Sequence, residues 1–409
     1  MSKPLSNPSG PSPARGFSLI ELLLAMALSL VVLALTFTLV QELQNTADLA
    51  NTSADVNENL RAAVIMMTRD LSTAGENMPG GSIALPYTPG NPSPTPSITL
   101  PTPAYPAATP FPTPYPAGAS LYWPVVAAGY AAGPTQGSGA NAITTDIVTI
   151  IGVDQTSSFN NTAASAPTLP ASPTGSATIT VSPTAAGYVT PGQLIKLTNT
   201  NGSCLLAVST VNTTTGVITF AHGDAHDYLG VNQFSILSTS DTATAGPSSG
   251  TMSQLQTATK SPTTGLYSFS WPTTLTADPI SMVTYYLDTA TPRNLQKLVT
   301  SPPATLPPVP QPVALGINVM QIRYVLTQTS ALGVISLTIP AVGNPWPSVA
   351  NPNYSPTYIR RAVLTMIGES DHQNHANKQW YSKEVVSSVA VQNLDYYNKY
   401  DTGSSMTPN

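Results

Sequence analysis

The chain has 409 residues, 41% of them apolar, enough to bury a core. Charged residues make up 8%, against roughly 25% in ordinary globular domains, and prolines number 41, a composition that suits an exported protein. The 14 Lys and Arg form no basic run and the net charge is −5, so no nucleic-acid partner is expected.

Residues 1–16, MSKPLSNPSGPSPARG, are polar and rich in Pro, Ser and Gly, with basic Lys3 and Arg15. From Phe17 to Val40 the chain turns apolar; as a helix this run spans about 36 Å, enough to cross a bilayer. A cleaved secretory signal would have a shorter apolar stretch before a small-residue exit site, which is missing here. A plain membrane anchor explains the length but not Glu21. A carboxylate inside an apolar membrane helix costs roughly 2.5–3.5 kcal/mol and needs a partner.

Beyond Val40 the chain turns polar without a helix breaker. Val56, Leu60, Val64, Met67 and Leu71 fall at helical spacing and predict an amphipathic stripe. Gly75 is placed to end the helix, and Pro79 is the first proline after the leader. One helix from about Phe17 to about Ala74 is expected, apolar all round at first and amphipathic afterwards. A coiled-coil partner would need flanking charges that the second half lacks.

From Pro79 to Gly118 the prolines are too dense for helices or interior strands, and the segment reads as a linker or an arm carrying Tyr87, Tyr105, Phe111 and Tyr115. Ser/Thr/Ala/Pro stretches at about 155–190, 237–264 and 300–313 read as loops. Between them, 143–153, 194–200, 205–211, 217–220, 282–288, 294–300, 357–369 and 383–394 carry strand signals. A turn containing Pro292 joins two of these, 282–288 and 294–300, as a hairpin. In VMQIRYVL, Met320, Ile322, Tyr324 and Leu326 alternate with Gln321 and Arg323, the mark of a half-buried strand. The expected fold class is α+β: a long N-terminal helix packed on an antiparallel β-sheet head with Pro/Ser/Thr-rich loops. The divisions are a leader at 1–16, an apolar helix at 17–40, an amphipathic helix at 41–75, a Pro-rich segment at 76–119 and a β-rich head at 120–409.

The run RGFSLIE, with a basic residue, then Gly16 and Phe17, then Glu21 as fifth residue after the glycine, resembles the processing site of type IV prepilins. That resemblance implies cleavage after Gly16 by a prepilin peptidase and methylation of the new amine on Phe17. It also implies a role for Glu21 in neutralising the N-terminal ammonium, usually that of a neighbouring subunit. RDLSTAG (69–75), MVTYYLD followed by NLQKLVT, VMQIRYVL and a late strand ending VAVQNL resemble the PilW family of minor pilins in order and spacing. The chain has Gln392 and Asn393 where that pattern often ends in Arg-Asn, and its proline-rich inserts are longer. The partners this implies are the peptidase, other major and minor pilins, an inner-membrane assembly platform, and the membrane itself through residues 17–40. The location it implies is the inner membrane before assembly and a surface filament afterwards. A minor pseudopilin of a type II secretion system is built on the same plan, and a filament-displayed adhesin or binding module is a further alternative.

Candidates for chemistry are few. His222, Asp224, His226 and Asp227, in AHGDAHD, are placed to ligate a divalent metal, although Gly223 and Gly230 mark a turn where polar residues collect anyway. His372 and His375 form a second, weaker pair. GPSSG (246–250) has no strand ahead of it and makes a poor nucleophile elbow. Cys204, the only cysteine, rules out an intrachain disulfide and precedes an apolar strand, so a buried thiol is expected. No catalytic set emerges and no cofactor is expected; the chain reads as a structural protein rather than an enzyme.

Overall fold

The computed structural model describes residues 18–78, 82–84, 122–139, 142–154, 157–159, 161–165, 168, 176–221, 255, 257–260, 263, 267–270, 274–291, 293–300, 310–330, 333–339, 359–373 and 378–391. The chain divides into two compact units, Met1–Ala54 with His372–Tyr381, and Asp55–Asp371 with Ser382–Asn409. One helix, Leu19–Ser72, contributes to both.

In the first unit the helix is apolar and exposed on every side, from Leu19 (79% exposed) to Val40 (48%). Its hydroxyls are satisfied locally. Ser29 Oγ donates to the Met26 carbonyl, Thr36 Oγ1 to that of Leu33, and Thr38 Oγ1 to that of Ala34. That is how a helix carries Ser and Thr without presenting unpaired polar atoms to lipid. Thr52 Oγ1 lies 3.4 Å from His372 Nε2, and Ser53 Oγ donates to the Tyr381 hydroxyl at 3.0 Å.

In the second unit the helix buries one stripe: Val56, Leu60, Ala63, Met67 and Leu71. Ala63 occupies the place expected for Val64, which is only partly covered. The buried spacing of 4, 3, 4 and 4 tracks the 3.6-residue turn, and Val64 stands about 100° further round. The expected end at Gly75 is present. Gly75 has φ +73° and donates its N–H to the Ile151 carbonyl at 3.2 Å, so the terminus is tied directly to the sheet.

The larger sheet has eight antiparallel strands centred on Leu275–Leu287. Its second half pairs with Ile147–Val153 on one side and Asn294–Thr300 on the other; its first half pairs with Thr162–Ala164 and Leu194–Thr198. The expected hairpin forms, from Met282↔Thr300 to Leu287↔Leu295, while Pro292 lies outside the described residues. Pro279 sits where the strand changes partners, and its carbonyl accepts from the Asp154 N–H at 2.8 Å. A proline is tolerated inside a strand at such a seam because the missing N–H interrupts no continuous ladder. A second sheet runs Gly333–Ile339, Ile317–Ser330, Ile359–Gln373, Trp380–Ala390 in spatial order. Met320, Ile322, Tyr324 and Leu326 are buried and Arg323 is exposed, as their alternation requires.

Two of the expected loops hold structure. Within 155–190 lie strands Thr162–Ala164 and Ser176–Thr180 and the short helix Pro183–Ala186. Thr257–Lys260, within 237–264, pairs with Tyr267–Ser270. In SATIT only Ala177 and Ile179 face inward, and an alternation carried by so small a residue is easily read as low complexity. Of Pro79–Gly118, only Ser82–Ala84 is described, paired with Tyr122–Pro124; the rest lies outside the described residues.

Polar contacts fasten these layers together. Asp70, near the helix end, accepts from Tyr285 Oη (2.5 Å) and Lys297 Nζ (2.7 Å), which face each other across adjacent strands. Burial raises the Tyr285 phenol well above its usual range, and the hydrogen bond and charge of Asp70 push the same way. Buried Lys196 and Asp278, also cross-strand partners, form an ion pair at 3.0 Å. Lys196 Nζ further donates to the Asn77 carbonyl (2.6 Å), and Asp278 Oδ1 accepts from the Asn161 N–H (2.6 Å).

Asp146 joins the two sheets: its carboxylate accepts from the N–H of Ala131 (2.8 Å) and of Ile322 (2.7 Å). Burial pushes its carboxyl up to about 6 from 3.8, against the two backbone bonds that pull it down. Because the folded value is raised, its stabilising contribution is complete below about pH 4 and is lost as pH rises through 6. Relative to Asp146→Asn, the unfolding free energy is expected to fall by about 2–3 kcal/mol between pH 4 and 7, since each tenfold change in proton affinity on folding is worth about 1.4 kcal/mol. Paired denaturant titrations at the two pH values check this; parallel pH profiles would contradict it.

Candidate functional site

The candidate site is the start of the long helix. Gly16 and Phe17 lie outside the described residues, which begin at Ser18. Ser18 directly precedes the first helical residue, Leu19, and Glu21 stands three residues further on. The Ser18 N–H donates to Glu21 Oε2 at 3.0 Å, and the Glu21 N–H donates back to Ser18 Oγ at 3.3 Å. This is a reciprocal capping box, which satisfies two donors that a helix start leaves unpaired. The S-x-x-E spacing announces it in the sequence, yet a reading focused on the cost of Glu21 in an apolar run passes over it.

The geometry answers that cost in part. Glu21 is not a bare carboxylate in the middle of a hydrophobic helix; it sits in the first turn, where the helix dipole favours negative charge. In the sequence it follows Phe17, the bearer of the expected amine, by four residues. Behind it, Leu19–Ser72 is long and apolar enough to cross a membrane by length and composition, with a mean hydropathy of 2.6 in its most apolar window. The carboxylate therefore marks the end of the apolar helix where an ammonium can be met.

Of the other candidates, those among the described residues do not converge into a site. His222, Asp224, His226 and Asp227 lie outside the described residues, as does His375. His372 meets Thr52, and among the described residues no three His, Cys, Asp or Glu side chains converge as a metal would require. Cys204 is fully buried in a cluster with Phe159, Ile179, Leu197 and Phe220, and burial raises its thiol far above the reactive range.

Residues 11–37 match the family model of the prokaryotic N-terminal methylation motif. No curated protein matches the chain, and no solved structure does. The motif covers Gly16, Phe17 and the capping box together, and with the apolar helix behind it the N-terminus of the chain is similar to that of type IV pilin-like proteins.

Proposed function

We propose that the chain is a minor pilin, a structural subunit that primes or caps a type IV pilus. In this reading a prepilin peptidase cuts after Gly16 and methylates the amine of Phe17. The helix then holds the subunit in the inner membrane with its head outside the cytoplasm until other pilins and the assembly platform draw it into the filament. Glu21 pairs with an N-terminal ammonium in the dry filament core, where a charge pair is costly if either partner is missing. The head has a scaffolding role and no catalytic one.

The observation that carries the reading is the first half of the helix. It is exposed on all sides, apolar throughout, and headed by the methylation motif with its one carboxylate in the first turn. A helix apolar all round needs either lipid or other helices about it. The membrane supplies the first before assembly, and a filament core built from such helices supplies the second afterwards.

Replacing Gly16 with Leu is expected to leave the chain at full length and absent from sheared filaments, read by intact mass. Glu21→Ala is expected to be cleaved normally yet incorporated poorly. Filaments containing the chain with Met1 retained would sink the reading.

A further inference from the structure

The first compact unit holds more than the apolar helix. It also contains His372–Tyr381, the end of the hairpin formed by the neighbouring strands Ile359–Gln373 and Trp380–Ala390. His372 meets Thr52, and Ser53 donates to Tyr381, so both sides of the hairpin are held to one short piece of the helix. Lys378, Gln379 and Trp380 are grouped with the helix before Ala54, and so lie beside the part of it that leads back to the apolar run. All three are exposed, Trp380 at 46%. Lys378 has φ +55°, a left-handed conformation that Gly or Asn adopts at less cost. It is also the single cation among the described residues of this unit, whose polar helical turns carry Glu42 and Asp48. Among the described residues neither Lys378 nor Trp380 has a hydrogen-bond or ion-pair partner.

We propose that this hairpin end is a second membrane contact, in which Lys378 and Trp380 bear on the phosphate layer of the phospholipid leaflet on the head's side. The inference rests on residues 17–40 spanning the membrane, and on nothing about the filament. Thr52 lies twelve residues beyond Val40, about 18 Å along the helix. Lys378 is three residues from Tyr381, up to about 10 Å of extended chain, which brings it to about 8 Å from the end of the apolar run. Headgroups occupy about 5–8 Å outside the hydrocarbon on each side, and a lysine stem carries its ammonium further still. The chemistry of both side chains suits that layer. An indole is apolar with one N–H to donate and collects at membrane–water interfaces, while an ammonium meets lipid phosphate. A helix held by its span alone is free to turn about its axis and to slide in depth. A second contact beside it limits both.

The test uses the full chain in vesicles of phosphatidylethanolamine and phosphatidylglycerol that include a lipid spin-labelled at its headgroup. Cys204 is buried and takes no probe, so a fluorophore is placed by Gln373→Cys at the hairpin end or by Ser388→Cys further along the second strand, both exposed positions. Quenching by the headgroup label is expected to be clearly stronger at 373 than at 388. Lys378→Glu with Trp380→Ser is expected to lower the quenching at 373 about twofold or more, because one lysine changes the occupancy of an anionic surface about fivefold. Equal quenching at the two positions, or quenching at 373 that the double substitution leaves unchanged, overturns the proposal. Alkaline carbonate extraction is read on the same vesicles. A chain that carbonate releases does not span the membrane, and the span and the contact fall together; with a retained chain the span stands and the quenching alone decides the contact.

Discussion

Lys196→Met is expected to lower the unfolding free energy of the head by about 3–5 kcal/mol, among the largest single-residue effects in this chain. Lys196 and Asp278 are side-chain partners at 6% and 5% exposure, on adjacent strands of the larger sheet. Removing the ammonium leaves the Asp278 carboxylate with the Asn161 N–H and no counter-charge in a site that water does not reach. It also strands the Asn77 carbonyl, which is how the turn after the long helix is held to the strand Leu194–Thr198. The pair itself is not a large net stabiliser, because desolvating both ions offsets most of their attraction. The double change Lys196→Met with Asp278→Leu should therefore recover part of the loss. Recovery will be incomplete, since the Asn77 carbonyl and the Asn161 N–H each lose the side-chain partner they have in the native chain. Denaturant unfolding of a chain lacking residues 1–44 compares both variants with the unchanged head. A single change costing under about 1 kcal/mol, the range of exposed pairs, would show that water enters the site.

The same pair shows what sequence reading reaches and what it does not. The long helix is legible because its signals are local: an unbroken apolar run, a stripe at helical spacing, and Gly75 where the chain must turn left-handed. The strand Asn294–Thr300 and its hairpin are legible for the same reason, as is the alternation about Met320. Lys196 and Asp278 are neighbours only because the strands Leu194–Thr198 and Leu275–Leu287 pair, and nothing local in LIKLT or in LTADPISMVTYYL says so. Asp146 is hidden in the same way, since its partners Ala131 and Ile322 come from distant stretches. At the candidate site the position of Glu21 is legible from charge in an apolar run. Its capping role is legible too, from Ser18 three residues earlier, but it takes a helix-start argument and not a membrane argument to see it. Ala63 lies on the buried stripe and Val64 about 100° off it, and a hydrophobicity pattern picks the larger residue of such an adjacent pair.

The close approach of the helix to the strand Ile359–Gln373 sets the other large effect. Gly368, on the strand Ile359–Gln373, lies under the helix where a Cβ would come within 2.9 Å of Leu60 Cγ and 3.1 Å of Val56 Cγ1. Leu60 is fully buried, so Leu60→Ala is expected to cost about 2–5 kcal/mol through lost transfer energy and the cavity left over Gly368. Gly368→Ala alone overfills the same contact, and with side-chain atoms that close it is expected to cost about 1–3 kcal/mol. Combined, the two should cost clearly less than their sum, because the added methyl enters the space that Leu60 vacates. Their coupling, about 1 kcal/mol or more in a double-mutant cycle, follows from direct contact and not from a general weakening of the sheet. Additive losses would mean that the helix moves away from the strand when Leu60 is cut back, leaving nothing for the methyl to fill. The cycle therefore measures how rigidly the helix is seated on the strand Ile359–Gln373.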